Sequence, residues 1–200
     1  MAEPRRKVNL QNIPIRSNLF CMKGLPVGYA VLGALLSGPA HGYELKRRLN
    51  SGLGPIWHIA QSQLYSVLAR LEREGLVEGH LEPQGARPPR RVFSLTQAGE
   101  SAFWDWATSP VRHVRDVRIE LFAKLYFLRR HAPDRVPELL SAQAERLTRL
   151  KDRLSQRKAL PTDDPALARL TLDFRRTLLS TLLSWLEEAK LQLLKEVQDA

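Results

Sequence analysis

Three segments in the first half of the chain carry apolar residues at helical spacing. The first predicted helix runs from Pro26 to Leu36 within "LPVGYAVLGALLSGPAHG", and the second lies in "GYELKRRLNSGLG". The third begins at Gln61 in "QSQLYSVLARLEREGLV", and Gly75 suits the position that follows a helix C-cap. Apolar residues recur every three or four positions in each segment, as expected of a half-buried helix. The stripes are Val27, Ala30, Val31, Ala34 and Leu35, then Leu45, Leu49 and Leu53, then Leu64, Val67, Leu68 and Leu71.

The pattern changes from helical to strand-like after the third segment. "LVEGHLE" and "RRVFSL" are predicted strands, and the turn-rich "PQGARPP" between them predicts that they form a hairpin. Thr96 has a side chain typical of a helix N-cap, so a fourth helix is predicted to begin after it. Three short helices followed by a hairpin describe a winged helix-turn-helix.

The second half of the chain is predicted to be helical. Residues 110–158 are expected to be helical throughout, "ALPTDDP" (159–165) is expected to break the chain, and a last helix is expected from Ala166 to Gln198. The apolar stripes are Val117, Leu121, the stem of Lys124, Leu125 and Leu128, with Phe122 and Tyr126 nearby, then Leu140, Gln143, Leu147, Leu150 and Leu154, then Leu170, Phe174, Leu178, Thr181, Trp185 and Ala189. Three long amphipathic helices cannot all bury their stripes in one small domain, so we expect pairing with a second copy of the chain.

These elements predict a mainly α fold with a small β-hairpin, in which an N-terminal winged helix-turn-helix precedes a C-terminal α-helical dimerisation domain. Residues 1–24 are polar, basic and interrupted by Pro4 and Pro14, and are expected to be a mobile arm. The winged domain is expected to span residues 25–109, and the helical domain residues 110–200.

The formal net charge of +10 predicts a polyanionic partner, either nucleic acid or an anionic membrane surface. A basic protein that binds neither is the alternative. Residues 1–111 hold 13 Lys/Arg against 8 Asp/Glu and residues 112–200 hold 18 against 13, so the total does not locate a binding face. The polar faces of the C-terminal helices mix acidic with basic residues, unlike basic interfacial helices, which disfavours a membrane surface.

Cysteine usage and hydropathy bear on the compartment. Cys21 is the only cysteine, so an intrachain disulfide is impossible and a reducing cytoplasm is expected. No apolar run approaches the about 18 residues that a membrane span needs. The first twenty residues include basic side chains but lack the apolar region of a signal peptide. We therefore expect a soluble cytoplasmic protein.

The third predicted helix has an unusual N-terminal half. Helix N-termini usually attract Asp or Glu, yet no acidic residue precedes Glu72 in this segment. Opposite the apolar stripe lie Ser62, Gln63, Ser66, Arg70 and Arg73, and Tyr65 lies at its border. Short hydrogen-bonding side chains with arginines behind them suit a helix in the major groove of DNA. A solvated face of an ordinary core helix is the alternative.

The tip of the predicted hairpin, "QGARPPRR", is basic. Arg87, Arg90 and Arg91 lie there, with no acidic residue between Pro83 and Arg91. Two prolines stiffen the segment, and the arginines are expected to reach phosphates or a minor groove. A loop that only improves solubility is the alternative.

Residues 27–107 resemble the PadR family of bacterial transcriptional regulators. The resemblance is carried in order by "YAVLGALLSGPAHGYELKRRL", "LYSVLARLEREGLVEGHLE" and "GARPPRRVFSLTQAGESAF". The helical second half is similar to that of the larger members, which dimerise through it. Two features depart from the family pattern: Gln63 stands where members often have a small residue, and residues 1–24 extend beyond the usual family start.

The resemblance implies a homodimer that recognises a pseudo-palindromic operator in double-stranded DNA, with Tyr65 against the phosphate backbone. It also implies a repressor released by a small apolar or phenolic effector. Trp104, Trp106 and Trp185 are candidate lining residues for that effector, and core packing is the alternative for all three.

No enzymatic chemistry is indicated by the sequence. The five histidines are dispersed, so neither a metal site nor a cofactor is expected. Nucleophile elbows, phosphate-binding loops and dinucleotide fingerprints are missing from the sequence. The alternative function is a dimeric interaction or ligand-sequestering protein whose winged domain contacts other proteins.

Overall fold

The computed structural model describes residues 21–22, 25–85, 87–157 and 163–198. The predicted arm, residues 1–24, lies outside the described residues except for strand β1, Cys21–Met22. This strand pairs antiparallel with β2, Leu25–Pro26. Pro26 therefore ends a strand instead of beginning the first helix, and that helix starts one residue later than predicted.

Three helices form the first layer of the winged unit. They are α1 (Val27–Leu35), α2 (Gly42–Leu53) and α3 (Gln61–Arg73). Every residue of α1 is buried, and the predicted leucine stripes of α2 and α3 pack against it. The predicted end of α3 is confirmed: Gly75 has a φ of 71°, and the Leu76 N–H donates to the Leu71 carbonyl at 2.9 Å. This is the hydrogen bond of a Schellman motif, which closes a helix at such a glycine.

A three-stranded antiparallel sheet forms the wing. Its strands are β3 (Ala40–His41), β4 (Val77–Gln84) and β5 (Arg87–Leu95), in the order β3-β5-β4. The turn at the tip is shorter than predicted, because Pro88 and Pro89 lie within β5 and only Gly85 and residue 86 separate the strands. The sheet tolerates these prolines because β3 pairs with β5 only at Val92 and Phe93, and because the β4 register is irregular between Glu82 and Gln84.

Helix α4, Gln97–Thr108, returns from the sheet to the core. Its predicted cap is confirmed, since the Thr96 hydroxyl oxygen accepts the Gly99 N–H at 3.0 Å. The same hydroxyl donates to the Gly75 carbonyl at 2.8 Å and so ties the start of α4 to the end of α3. Phe103 of α4 is fully buried at the centre of the core.

The second half consists of α5 (Phe122–His131), α6 (Val136–Ser155) and α7 (Pro165–Gln198). A 3-10 turn at Val114–Asp116 and a π turn at Val117–Leu121 lead into α5, and a further 3-10 turn spans Pro133–Arg135. The prediction of helix throughout residues 110–158 was therefore wrong at residues 110–113, which precede the first turn, and at Ala132, which has φ −157° and ψ 64°. Proline disfavours helical geometry in the residue before it, and Pro133 has this effect on Ala132.

Helix α6 packs against the inner face of α7. Leu140, Leu147 and Leu154 of its predicted seam are buried, whereas Leu150 is 41 % exposed. Gln143 also lies on this seam, but it makes a polar contact there: its side-chain oxygen accepts the Val111 N–H at 2.6 Å. The predicted fold class, mainly α with a winged helix-turn-helix and C-terminal helices, is confirmed.

Helix α7 has two apolar faces. The inner face is buried and consists of Ala168, Leu172, Leu179, Leu186 and Ala189. The predicted stripe is mostly the outer face, where Leu170 and Phe174 are 68 % and 67 % exposed. Leu167 and Leu178 extend this outer face along the helix. Among the described helices, none is long and apolar enough to cross a membrane.

Candidate nucleic-acid interface

The N-terminal end of α3 is open to solvent. Its N-cap residue is Ala60, which has no side chain that could accept a hydrogen bond, and its first turn contains no acidic residue. Unsatisfied N–H groups and the helix dipole make such an end attractive to anions. Ser62 and Ser66 are exposed behind it and Gln63 is half-buried. The Ser66 hydroxyl donates to the Ser62 carbonyl at 3.0 Å and retains its oxygen as an acceptor.

Tyr65 occupies the border between the core and the exposed face of α3. Its side chain is 49 % exposed, and its ring lies over the first residue of α2. A Cβ atom on Gly42 would come within 2.6 Å of the Tyr65 hydroxyl oxygen, so the glycine leaves room for the ring. The phenol is thereby held beside the start of α2, with its polar end at the surface.

Three of the four arginines predicted to bind phosphate are paired with carboxylates. Arg70 Nε lies 2.9 Å from Glu74, Arg90 Nη2 lies 3.0 Å from Glu82, and Arg91 Nη2 lies 2.7 Å from Glu72. The hairpin register explains the second pair, because it places Glu82 directly opposite Arg90. The fourth, Arg87, pairs through its backbone with Gln84, and its side chain lies outside the described part of the chain.

Two exposed side chains near this surface were missed by the sequence prediction. Tyr43, at the start of α2, is 71 % exposed, and its ring stacks on His41 with centroids 6.5 Å apart. Leu81 is exposed on the outer part of β4. Tyr43 does not belong to the apolar stripe of Leu45, Leu49 and Leu53, and from this the sequence could have indicated that its ring is exposed.

The three candidate effector tryptophans occupy two separate aromatic groups. Trp106 is buried, stacks on Tyr29 at 5.2 Å and donates from Nε1 to Glu120 at 2.9 Å. Trp104 shares the neighbour Phe103 with Trp106, whereas Trp185 packs on Phe122 at 5.3 Å. Trp104 and Trp106 therefore share one aromatic neighbour, and Trp185 belongs to a different contact.

The buried Trp106 indole belongs to a polar network under α4. Lys124 is almost fully buried, and its ammonium group lies 3.0 Å from Glu120 and 5.1 Å from the centre of the Trp106 ring. It also donates to the Ser109 carbonyl at 2.7 Å. Burial lowers the pKa of Lys124, and Glu120 opposes that shift. Burial disfavours the charged form of a phenol too, and it therefore raises the pKa of Tyr29. These contacts favour the core-packing alternative for Trp106.

A cavity of about 280 Å³ lies where α1, α2 and α5 meet. Its lining includes the aromatic rings of Tyr126 and Phe127 and the basic side chains Arg48, Arg130 and His131. Burial, followed by the nearby Arg130 charge, lowers the pKa of His131. None of the three tryptophans contributes to the lining of this cavity.

Comparisons with known proteins bear on the whole winged unit. Residues 31–105 match the profile of the Transcriptional regulator PadR-like family. The chain is 28% identical over 141 residues to the negative transcriptional regulator PadR of Bacillus subtilis, a match that covers 68% of this chain and 76% of that protein. It is 28% identical over 90 residues to the probable transcriptional regulator Rv1176c of Mycobacterium tuberculosis, and this match covers 45% of this chain and 48% of that protein.

Solved structures of similar proteins include Bacillus subtilis PadR in complex with operator DNA. That match has a TM-score of 0.43 and 23% identity, and covers 84% of this chain and 98% of the other. The smu.1604c protein of Streptococcus mutans matches with a TM-score of 0.40 and 19% identity, over 86% of this chain and 98% of the other. Residues 31–105 of this chain are thus similar to the PadR-like family of transcriptional regulators.

Proposed function

We propose that the protein is a homodimeric repressor that binds a pseudo-palindromic operator in double-stranded DNA. In this proposal, residues 25–109 bind the DNA, residues 110–200 hold the two copies together, and the protein acts in the bacterial cytoplasm. The observation that carries the proposal is the open, acid-free N-terminus of α3, which lies beside a basic wing within a PadR-like domain.

Helix α3 would enter the major groove with its N-terminal end foremost. Ser62, Gln63 and Ser66 would contact base edges or position the helix, and Tyr65 would donate its hydroxyl hydrogen to a phosphate. Arg70, Arg87 and Arg90 are the basic side chains proposed to bind phosphates of the DNA backbone. Because Arg70 and Arg90 each have a carboxylate partner in the free protein, phosphates would have to compete with Glu74 and Glu82 for them.

The outer face of α7 supports the second copy. Leu167, Leu170, Phe174 and Leu178 form an exposed apolar stripe along this helix. Full burial of a large apolar side chain is worth about 1.5–3 kcal/mol, so leaving four exposed would be costly for an isolated chain. A two-fold pairing of this stripe would bury it twice and would match the two-fold symmetry of a palindromic operator. Repression is supported by the similarity to a protein described as a negative regulator.

An effector would bind in the cavity between α1, α2 and α5 and not at the three tryptophans. The volume of this cavity, about 280 Å³, suits a single aromatic ring. Arg130 and His131 in its lining could bind a phenolic oxygen or a carboxylate. Because the cavity joins α5 to the winged unit, a ligand there could alter the spacing of the two DNA-binding units. Trp104, Trp106 and Trp185 then retain the core-packing role.

The effector hypothesis is tested with phenol and benzoate as probes. We expect at least one of them to raise the melting temperature and to release bound DNA, because a ligand that binds one state stabilises it. Arg130→Ala should abolish the benzoate effect and preserve the phenol effect if Arg130 binds the carboxylate. If neither probe changes the melting temperature or the DNA affinity at millimolar concentration, the effector assignment is wrong and the DNA-binding proposal still stands.

DNA binding is tested by gel shift with the DNA that flanks the protein's own gene. We expect retention of this fragment at protein concentrations that leave a shuffled fragment of equal length and composition free. Equal retention of both fragments would contradict operator recognition. Retention of neither would favour the alternative, a dimeric interaction or ligand-sequestering module.

A further inference from the structure

One carboxylate connects α3 to both strands of the hairpin. Glu72 lies in the last turn of α3, and its Oε1 accepts the backbone N–H of Gly79 on β4 at 3.1 Å. Both of its oxygens also accept from Nη2 of Arg91 on β5, each at 2.7 Å. The side chains are partly shielded, with 28 % of Glu72 and 53 % of Arg91 exposed.

The glycine in this arrangement is required by the close approach of its neighbours. A Cβ atom on residue 79 would lie 2.8 Å from Glu72 Oε1 and 2.8 Å from Arg91 Nε. It would also lie 3.1 Å from the Phe93 ring, which is the residue opposite Gly79 in the strand register. Arg91 is held from a second direction as well, because its guanidinium lies 5.4 Å from the centre of the Phe93 ring.

The other two arginine pairs do not span these elements. Arg70 and Glu74 both belong to the end of α3, and Arg90 and Glu82 face each other within the hairpin. Either pair could open to a phosphate without moving the hairpin relative to α3. Opening the Glu72 pair would instead remove a link between the helix and the wing and would leave a carboxylate facing the DNA.

We propose that Glu72, Gly79 and Arg91 form a clasp that fixes the wing relative to α3, and that Arg91 is a positioning residue and not a phosphate ligand. This inference rests on the proposed DNA-binding function. A helix in the major groove and a wing on the adjacent backbone must fit at the same time, so holding their relative position before binding reduces the ordering cost of binding. Charge-assisted hydrogen bonds to a carboxylate suit this task because they are strong and directional.

Electrostatics and the clasp predict opposite effects for Glu72→Gln. Removing a negative charge near DNA should tighten binding if the charge only repels phosphates. If the clasp positions the wing, the weakened link should instead lower the affinity for operator DNA by roughly fivefold. Glu78→Gln is the matched control, because Glu78 lies on the same strand and its carboxylate bonds to Ser94 within the hairpin, not to α3. We expect this control to bind as tightly as the wild type or more tightly.

The salt dependence separates a positioning arginine from a phosphate ligand. Loss of one phosphate contact reduces the slope of log K against log salt by about 0.9. We expect Arg91→Met, which retains an apolar stem over Phe93, to lower affinity without changing this slope, and the Glu72→Gln/Arg91→Met double variant to be no weaker than either single variant. A slope reduced by about 0.9 in Arg91→Met, or tighter binding by Glu72→Gln, would overturn the proposal.

Hydrogen exchange of the free protein tests the clasp apart from DNA binding. We expect the Gly79 amide to exchange faster in Glu72→Ala than in the wild type, while amides of α1 are unchanged. An unchanged Gly79 amide would mean that the clasp does not hold in solution. If the amide responds and the wild type nevertheless binds no DNA selectively, the proposed function fails and the positioning role fails with it.

Discussion

Tyr65 illustrates how one small residue can determine the position of a functional one. The phenol can lie beside the start of α2 only because Gly42 has no Cβ in its path. The sequence predicted that Tyr65 would border the apolar stripe, since that follows from helical spacing. Its dependence on Gly42 could not be predicted, because it arises from the crossing of two helices and not from either pattern alone.

Two substitutions test the proposed role of Tyr65. A hydrogen bond to a charged group contributes about 1.5–3 kcal/mol, so Tyr65→Phe should weaken operator binding by about tenfold or more. Gly42→Ala should weaken binding as well, because the new methyl group displaces the ring from its place. Fluorescence anisotropy with the operator measures both effects, and circular dichroism checks that each variant is folded. If Tyr65→Phe binds as the wild type does, the hydroxyl does not contact a phosphate.

The wing arginines show that the charges within one segment do not reveal which acidic residues from elsewhere in the chain will pair with it. The segment from Pro83 to Arg91 contains no acidic residue, and this pattern predicted a basic tip. The carboxylates that pair with Arg90 and Arg91 come from residues 82 and 72, outside that segment. A predicted register would have revealed Glu82, whereas the Glu72 contact depends on how the hairpin packs against α3.

At the scale of elements, periodicity located the helices well and their ends less well. The caps at Thr96 and Gly75 were predicted because single residues determine them. The break at Ala132 was missed because the apolar pattern continues across it, although Pro133 was a sufficient signal. Helix α7 was assigned one apolar stripe and has two faces, since burial against α6 depends on which face the fold turns inward.

The outer face of α7 leads to a prediction about assembly. Phe174→Asp should shift the protein from dimer to monomer at micromolar concentration, because a charge would replace a large apolar side chain at the proposed interface. Ser180→Asp is the matched control, since this residue is exposed on the same helix away from the stripe. Sedimentation equilibrium measures the effect. A dimer of unchanged stability in Phe174→Asp, with circular dichroism as in the wild type, would place the interface elsewhere.

At the scale of the molecule, charge distribution did not indicate where DNA would bind. Both halves of the chain carry the same excess of positive charge, and many of the basic side chains are paired with acids. The candidate surface is distinguished instead by geometry: an uncapped helix end, a tyrosine at its border and a wing fixed beside it. The helical spacing, the hairpin pattern and the sequence resemblance to the PadR family predicted these elements and their order. The contacts among the side chains could be seen only in the structure.

We propose that a two-fold dimer of this protein recognises a specific DNA sequence. Selection of bound duplexes from a random pool by the wild-type protein tests it most directly, because no knowledge of the operator is needed. We predict enrichment of an inverted repeat whose half-sites are centred about 10–10.5 base pairs apart or at a multiple of that distance. We also predict that the affinity for this sequence falls with salt by about 0.9 in log K per phosphate contacted. A bound pool with no enriched sequence after repeated rounds would mean that the protein does not recognise a specific operator.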